Sequence, residues 1–417
     1  MREKIEKIQS FLTLLIPIVL ITGNFLPDLI ISIISILFLF LIFQISFDEY
    51  KIKVFFYSFF FFYFYLVICS LLSANISFSI SASLPYIRFF IFSFAFLYLL
   101  KNFPKLTNYL FWIFLFCLTI LSLDILFQFL NDGKNIFGWE SGSAHRYSSF
   151  FKDEYIAGSY ISKGASIILL LYLIRNKSLI DLKILIYLIF LVLVVTLTGD
   201  RIPLLSIILL LILSILFSDF KISYKIYFFV SLISILILIF YLFPTSLERV
   251  IIVTYNQISQ LKIPFLPFSP HHELHFISAY KMFQDHFFLG VGPNLFREYC
   301  SQDVYLILDV VGGDSSCSTH PHNYYFQTLA ELGIIGFAFL LTLFIFFVVK
   351  FFVILKKIIF IKNNNSNFKI QILSIFSIIL LIAPIFPSRN FYNQWDNVLN
   401  YIIFGLYLLI RIRYENK

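Results

Sequence analysis

The sequence predicts an all-α integral membrane protein of about twelve transmembrane helices, with one large non-cytoplasmic loop that contains short interfacial helices. Three observations predict this class. Of the 417 residues, 60% are hydrophobic and only 13% charged, where a soluble domain carries about 25% charged residues; the mean hydropathy is +0.91. Apolar runs near the ~20 residues needed to cross a bilayer recur along nearly the whole chain. Lys and Arg fall in short clusters between those runs, as membrane topology requires.

The runs place spans at about 9–24, 27–46, 54–73, 84–100, 107–130, 156–174, 183–199, 202–217, 226–243, 325–349, 369–387 and 396–411. The first lacks a small-x-small cleavage site and reads as a retained anchor, not a removed signal peptide. A short turn through Gly23, Asn24 and Pro27 joins it to the second as a hairpin. The chain divides into spans one to nine (1–243), a loop (244–324) and spans ten to twelve (325–417).

Charge sets the expected orientation. Alternate connections hold Arg2, Lys4, Lys7; Lys51, Lys53; Lys101, Lys105; Arg175, Lys177, Lys183; Lys221, Lys225; Lys350, Lys356, Lys357, Lys362, Lys369; and Arg411, Arg413, Lys417. These are 20 of the 31 basic residues, so that side is expected to be cytoplasmic, with both termini on it. The net charge of +8 is spent on topology. No basic stripe interleaved with aromatics marks a nucleic-acid surface.

The opposite side receives 131–155, the tight Thr198-Gly199-Asp200-Arg201 turn and the loop of about eighty residues, a length that usually carries function. Within it, 273–288 has apolar spacing near the helical period, with Phe276, Tyr280, Met282 and Phe283 expected on one side. Gly290, Gly292 and Pro293 should end that helix, which reads as lying on the membrane surface. Cys69 and Cys117 sit in apolar runs as small core residues. Cys300 and Cys317 share the loop, and an oxidising compartment favours a disulfide between them.

Polar groups at membrane depth are costly, so those that persist often mark a site. In Thr319-His320-Pro321-His322-Asn323, Pro321 and Asn323 suit a helix start, and His322 suits proton acceptance near neutral pH; the plain alternative is a polar helix cap. Gly333 and Gly336 follow, and would let a neighbouring helix approach closely. Arg201, in its tight turn, could grip phosphate through paired hydrogen bonds or simply snorkel to water. In the stretch His145 to Tyr160, Arg146 could be a second phosphate ligand and Glu154 the partner that holds an arginine, while Lys152 and Asp153 read as solvated charge. His271-His272-Glu273-Leu274-His275 lacks the His-Glu-x-x-His spacing of zinc proteases. His271 and His275, four apart, could share a helix face as metal ligands, but the sequence fixes no third ligand, and the run reads as an interfacial histidine cluster with no metal.

His322-Asn323, nine residues, then Gly333-x-x-Gly336 resembles the His-Asn-x9-Gly-x-x-Gly signature of the O-antigen ligase superfamily. Thr198-Gly199-Asp200-Arg201, Gly290-Val291-Gly292-Pro293-Asn294-x-Phe296, and Arg146 with Glu154 and Gly158-Ser159-Tyr160 are similar to further family motifs, in order, over about 140–345. Where family members often carry an Arg before the helix leading to Gly-x-Gly-Pro, this chain has His271 and His272; Arg249 or His272 would substitute.

The resemblance implies a GT-C-like fold in a bacterial inner membrane, with the site facing the periplasm. It implies a glycan donor on undecaprenyl pyrophosphate, and an acceptor hydroxyl on lipid A–core for a ligase or on a lipid-linked glycan for a polymerase. His322 would be the base and Arg201 the leaving-group clamp. Arg146, Arg249, His272, His320 and Asn323 would bind pyrophosphate or glycan. No metal, nucleotide or other cofactor is required. A transporter or flippase would instead show paired repeats and broken helices around a midplane site.

Overall fold

A computed structural model describes residues 2–42, 50–141, 146–176, 180–261, 269–308, 315–360 and 366–414. His145, Lys177, Lys362, Lys417, most of the Asn-rich patch 363–367 and the end of the second predicted span lie outside the described residues, as does the side chain of Lys51.

The chain is helical, with no β-strand among the described residues. In order come α1 (Arg2–Thr22), α2 (Phe25–Ile42), α3 (Tyr50–Leu71), α4 (Ile76–Ser83), α5 (Ile87–Asn102), α6 (Pro104–Leu130), α7 (Ala157–Asn176), α8 (Leu182–Thr198), α9 (Arg201–Phe217) and α10 (Ile222–Leu242). The loop contributes α11 (Pro244–Leu247), α12 (Val253–Ser259), α13 (Pro270–Asp285) and α14 (Phe296–Tyr299), before α15 (Tyr324–Phe360), α16 (Ser366–Ile382) and α17 (Gln394–Tyr414).

Each predicted span falls on one of these helices. By length and composition, eight helical stretches can cross a membrane: α1, α2, α3, α4 with α5, α6, α7, α10 and α15. The apolar α8, α9 and α16 are shorter, at 17 residues each. The last, α17, carries Asp396, Arg411 and Arg413 and is buried along most of its length.

Local chemistry sets the boundaries. Gly23, at φ 135°, opens the α1–α2 turn. Asn75 caps α4 by accepting from Phe78 N; that helix was not predicted, because its Ser-rich sequence breaks the apolar run. Gly199 ends α8 in the left-handed conformation, and Asp200 then begins α9.

Two expectations change. On α13 the buried stripe is Leu274, His275, Phe276, Ser278, Ala279 and Met282, facing α15. Tyr280 is exposed, on the opposite side from Met282. The second concerns Gly333 and Gly336, which admit no neighbouring helix. Gly333 breaks α15 (φ 63°, ψ −162°), and the turn after α13 fills the break. Val291 N donates to Ala330 O at 2.9 Å, Gly292 N to Glu331 O at 3.0 Å, and Ile334 N to Phe287 O at 2.9 Å. These bonds satisfy backbone groups that the interrupted helix would otherwise leave unpaired. Gly336 gives space to Leu332 of its own helix.

The most enclosed of the apolar stretches is α7, packed by α6, α8, α9, α16 and α17. Basic ends meet at one end of the bundle: Arg2 donates to Tyr98 Oη, Arg413 to Leu100 O and Lys369 to Asp219. Arg201, His322 and Arg389 gather at the other.

Candidate functional site

The site begins with two turns forced close together. Gly158, the second residue of α7, lies against the α8–α9 connection, where an added Cβ would lie 2.6 Å from Asp200 Oδ2 and 2.7 Å from Thr198 Oγ1. Its N–H donates to Asp200 Oδ2 at 3.2 Å. Only a residue without a side chain permits that approach. Asp200 is thereby buried and pairs with Arg146, Nη2 to Oδ1, at 2.5 Å. The Arg146 guanidinium also stacks 3.9 Å above the Tyr155 ring. Asp200 therefore holds the arginine, and Glu154, expected in that role, is exposed.

Beside this pair Arg201 starts α9, and its Nη1 donates to Gln257 Oε1 at 2.6 Å. Arg249 comes from a wide π-type turn over Glu248–Ile252. Burial, and then Arg146, lower its pKa.

Histidines form the opposing wall. Ser269 caps α13 by accepting from His272 N, with Pro270 in the first turn. The His272 and His322 rings lie 5.1 Å apart, those of His275 and His322 5.6 Å, and those of His320 and His322 4.1 Å. His275 Nδ1 is 2.9 Å from Ser316 O. Burial pushes His322 down to about 4, with His275 and Arg389 adding to it. Burial, then His322, takes His320 to about 3, and the same two causes take His272 to about 3. All three are neutral at pH 7.

His322 adopts φ 59°, a left-handed conformation uncommon outside glycine and found often at functional sites. Its carbonyl accepts from Ser388 N at 2.8 Å. Asn323 does not reach the cavity. Its Oδ1 caps α15 at Tyr325 N and Phe326 N, and its Nδ2 donates to Pro384 O and Phe386 O. Asn323 fixes the backbone under His322. A disulfide joins Cys300 to Cys317, Cα atoms 4.8 Å apart, beneath the same segment. Among the described residues no three His, Cys, Asp or Glu side chains are arranged to hold a metal ion.

One cavity of about 1150 Å³ joins these pieces, lined by Arg146, Arg201, Arg249, His272, His320 and His322. Its lining also includes Lys163 and Asp396, an ion pair at 2.5 Å that Tyr324 Oη joins. Nε of Arg146, Arg201 and Arg249, Nε2 of His320 and Oγ of Ser388 are buried with no protein partner among the described residues. Each belongs to a cavity-lining residue. Buried donors without partners are rare, and when clustered they mark a place for a hydrogen-bonding ligand; here several are cationic, which selects an anion.

Sequence reasoning missed Arg389, in the 383–393 connection between α16 and α17, which lines the same cavity. The available signal was a basic residue on the side that topology leaves poor in them.

No curated protein matches the chain. The family model described as O-antigen ligase matches residues 186–341, a stretch that includes Arg201, Arg249, His272, His320 and His322 but neither Arg146 nor Arg389. Over residues 186–341, less than half of the chain, this multi-helix membrane protein is thus similar to the O-antigen ligase family.

Proposed function

We propose that the protein transfers an O-antigen glycan from undecaprenyl pyrophosphate to a sugar hydroxyl of lipid A–core, at the periplasmic face of a bacterial inner membrane, with both termini cytoplasmic. The supporting observation is the convergence of Arg146, Arg201 and Arg249 with His322 on one cavity. The acceptor oxygen forms a bond to the anomeric carbon while that carbon's bond to the pyrophosphate oxygen breaks. His322 takes the hydroxyl proton on a ring nitrogen, which its neutral imidazole can accept. The guanidinium groups receive the charge that develops on the departing pyrophosphate, the electrostatic role usually worth most in such reactions. Arg249 stands in for the family arginine, and His272 and His320 border the bound anion. The donor arrives activated, so neither nucleotide nor metal enters a step.

The test is lipopolysaccharide profiling of a deletion strain complemented with wild type, His322→Ala or Arg201→Ala. Core bearing no glycan in the deletion and in both variants, with normal membrane levels of protein, is the expected result. Core bearing one repeat unit assigns the polymerase reaction instead. Unchanged glycan in both variants removes the catalytic assignment. A flippase is disfavoured because the polar groups collect at one end of the bundle.

A further inference from the structure

We propose that Arg389 makes an additional contact to the donor's diphosphate, and that a hydrogen-bond chain through Asn294, Asn390 and Gln327 holds it in place. This rests on the diphosphate reading of the cavity. Arg389 lines that cavity together with Arg146, Arg201 and His322. Tyr155 connects two of the cations: the Arg146 guanidinium lies over its ring, and Arg389 Nη2 donates to its carbonyl at 3.2 Å. That is the one hydrogen bond Arg389 makes among the described residues, and a guanidinium has five N–H groups. Of the four cavity arginines only Arg146 forms an ion pair among the described residues. Arg389 acts electrostatically on Asp200 and on both His320 and His322. Its charge thus reaches both the Asp200 that holds Arg146 and the histidines of the opposing wall.

The mounting is equally specific. Ser388 N donates to His322 O at 2.8 Å, and Phe391 N donates to Gln327 Oε1 at 2.8 Å. Arg389 is thus pinned on both sides to the segment that carries His322. Asn390 Oδ1 accepts from Gln327 Nε2 at 3.1 Å, and Asn390 Nδ2 donates to Asn294 Oδ1 at 3.1 Å. Asn294 is itself held at φ 62°, just after the Gly290–Gly292 turn that docks on the α15 break. The glycine-rich loop, remote from the cavity, thereby sets the position of Arg389.

The test uses full-length protein in lipid nanodiscs, with farnesyl diphosphate as the probe and Arg201→Ala as a control. Arg389→Ala should weaken probe binding roughly 30-fold, the usual scale for loss of a buried charged contact. Arg389→Gln, which can keep the bond to Tyr155 without the charge, should weaken it similarly and guards against misfolding of the Ala variant. Arg389→Lys should recover part of the affinity. Asn390→Ala should weaken binding only while Arg389 is present, adding nothing to Arg389→Ala. If Arg201→Ala loses binding while Arg389→Ala and Arg389→Gln stay within twofold of wild type, the Arg389 assignment is wrong and the cavity reading stands. If Arg201→Ala also binds normally, the cavity reading fails. A rise in acceptor KM alone would assign Arg389 to the acceptor and overturn the proposal.

Discussion

Nη2 of Arg146 lies 2.5 Å from Oδ1 of Asp200, joining the connection before α7 to the turn between α8 and α9. Asp200 is 8% exposed, so its loss leaves a cation partly buried beside two others. Asp200→Ala should lower stability by about 3 kcal/mol. Thermal unfolding in detergent and a transfer assay check this, and Asp200→Ala should reduce transfer more than Glu154→Ala, whose side chain is exposed.

The acid limb of transfer should lie well below that of an ordinary histidine. His322 is lowered to about 4 by burial, His275 and Arg389, with His272 and His320 also facing it. As pH falls through that value the imidazole gains a proton and the base is lost. In kcat/KM against pH, activity should persist below pH 6, and Arg389→Gln should move the limb to higher pH. A limb at the usual histidine value in wild type, absent from His322→Ala, would overturn the lowered pKa while leaving His322 as the base.

Folding stability should follow the same groups. His272, His320 and His322 titrate lower in the folded chain than the usual 6.5, so between 6.5 and about 3 the unfolded chain binds more protons. Their contribution is complete above 6.5 and is lost as pH falls through that window. Thermal midpoints measured from pH 7.5 to 4 should drop, and the drop should shrink in His320→Asn.

Gly333 and Gly290 should tolerate no side chain. A Cβ on Gly333 would lie 2.4 Å from the Phe288 carbonyl, and one on Gly290 2.3 Å from the Glu331 carbonyl carbon. Both also have positive φ. Each alanine variant should lose at least ~2 kcal/mol, from strain and displaced backbone together. Gly336→Ala meets only the Leu332 side chain and should cost less. Limited proteolysis of the loop ranks the three.

The Cys300–Cys317 bridge closes a loop of 17-residue separation, which in the chain-entropy account stabilises by roughly 3 kcal/mol. Cys300→Ser with Cys317→Ser should lower the thermal midpoint and remove its response to reductant. Transfer should fall by a smaller factor than in His322→Ala, because the bridge supports the His322 segment without touching the reacting atoms.

Much of the architecture was legible in the sequence, because membrane helices announce themselves locally. Length and apolarity are properties of contiguous residues, and every predicted span fell on a helix. The departures came where pairing is long-range. The exposed Tyr280 turned away from Met282 because α15 chose which side of α13 to bury, and Ser-rich α4 gave too little apolar signal. The Gly333 break was read as helix packing because the turn that fills it lies some forty residues earlier.

By itself the sequence determined where the long apolar helices form and which side chains were candidates for the site. The residues His322, Arg201, Arg146, Arg249, His272 and His320 all came from motif and position, and all line the cavity. Only the tertiary structure decided that Asp200 holds Arg146, that Asn323 serves the backbone beneath the site, and that Arg389 stands among the cations. The physical reason is separation along the chain. Residues 146, 200, 322 and 389 share no local pattern, and they meet only because Gly158 lets one turn press against another and the 383–393 connection is hydrogen-bonded to the start of α15.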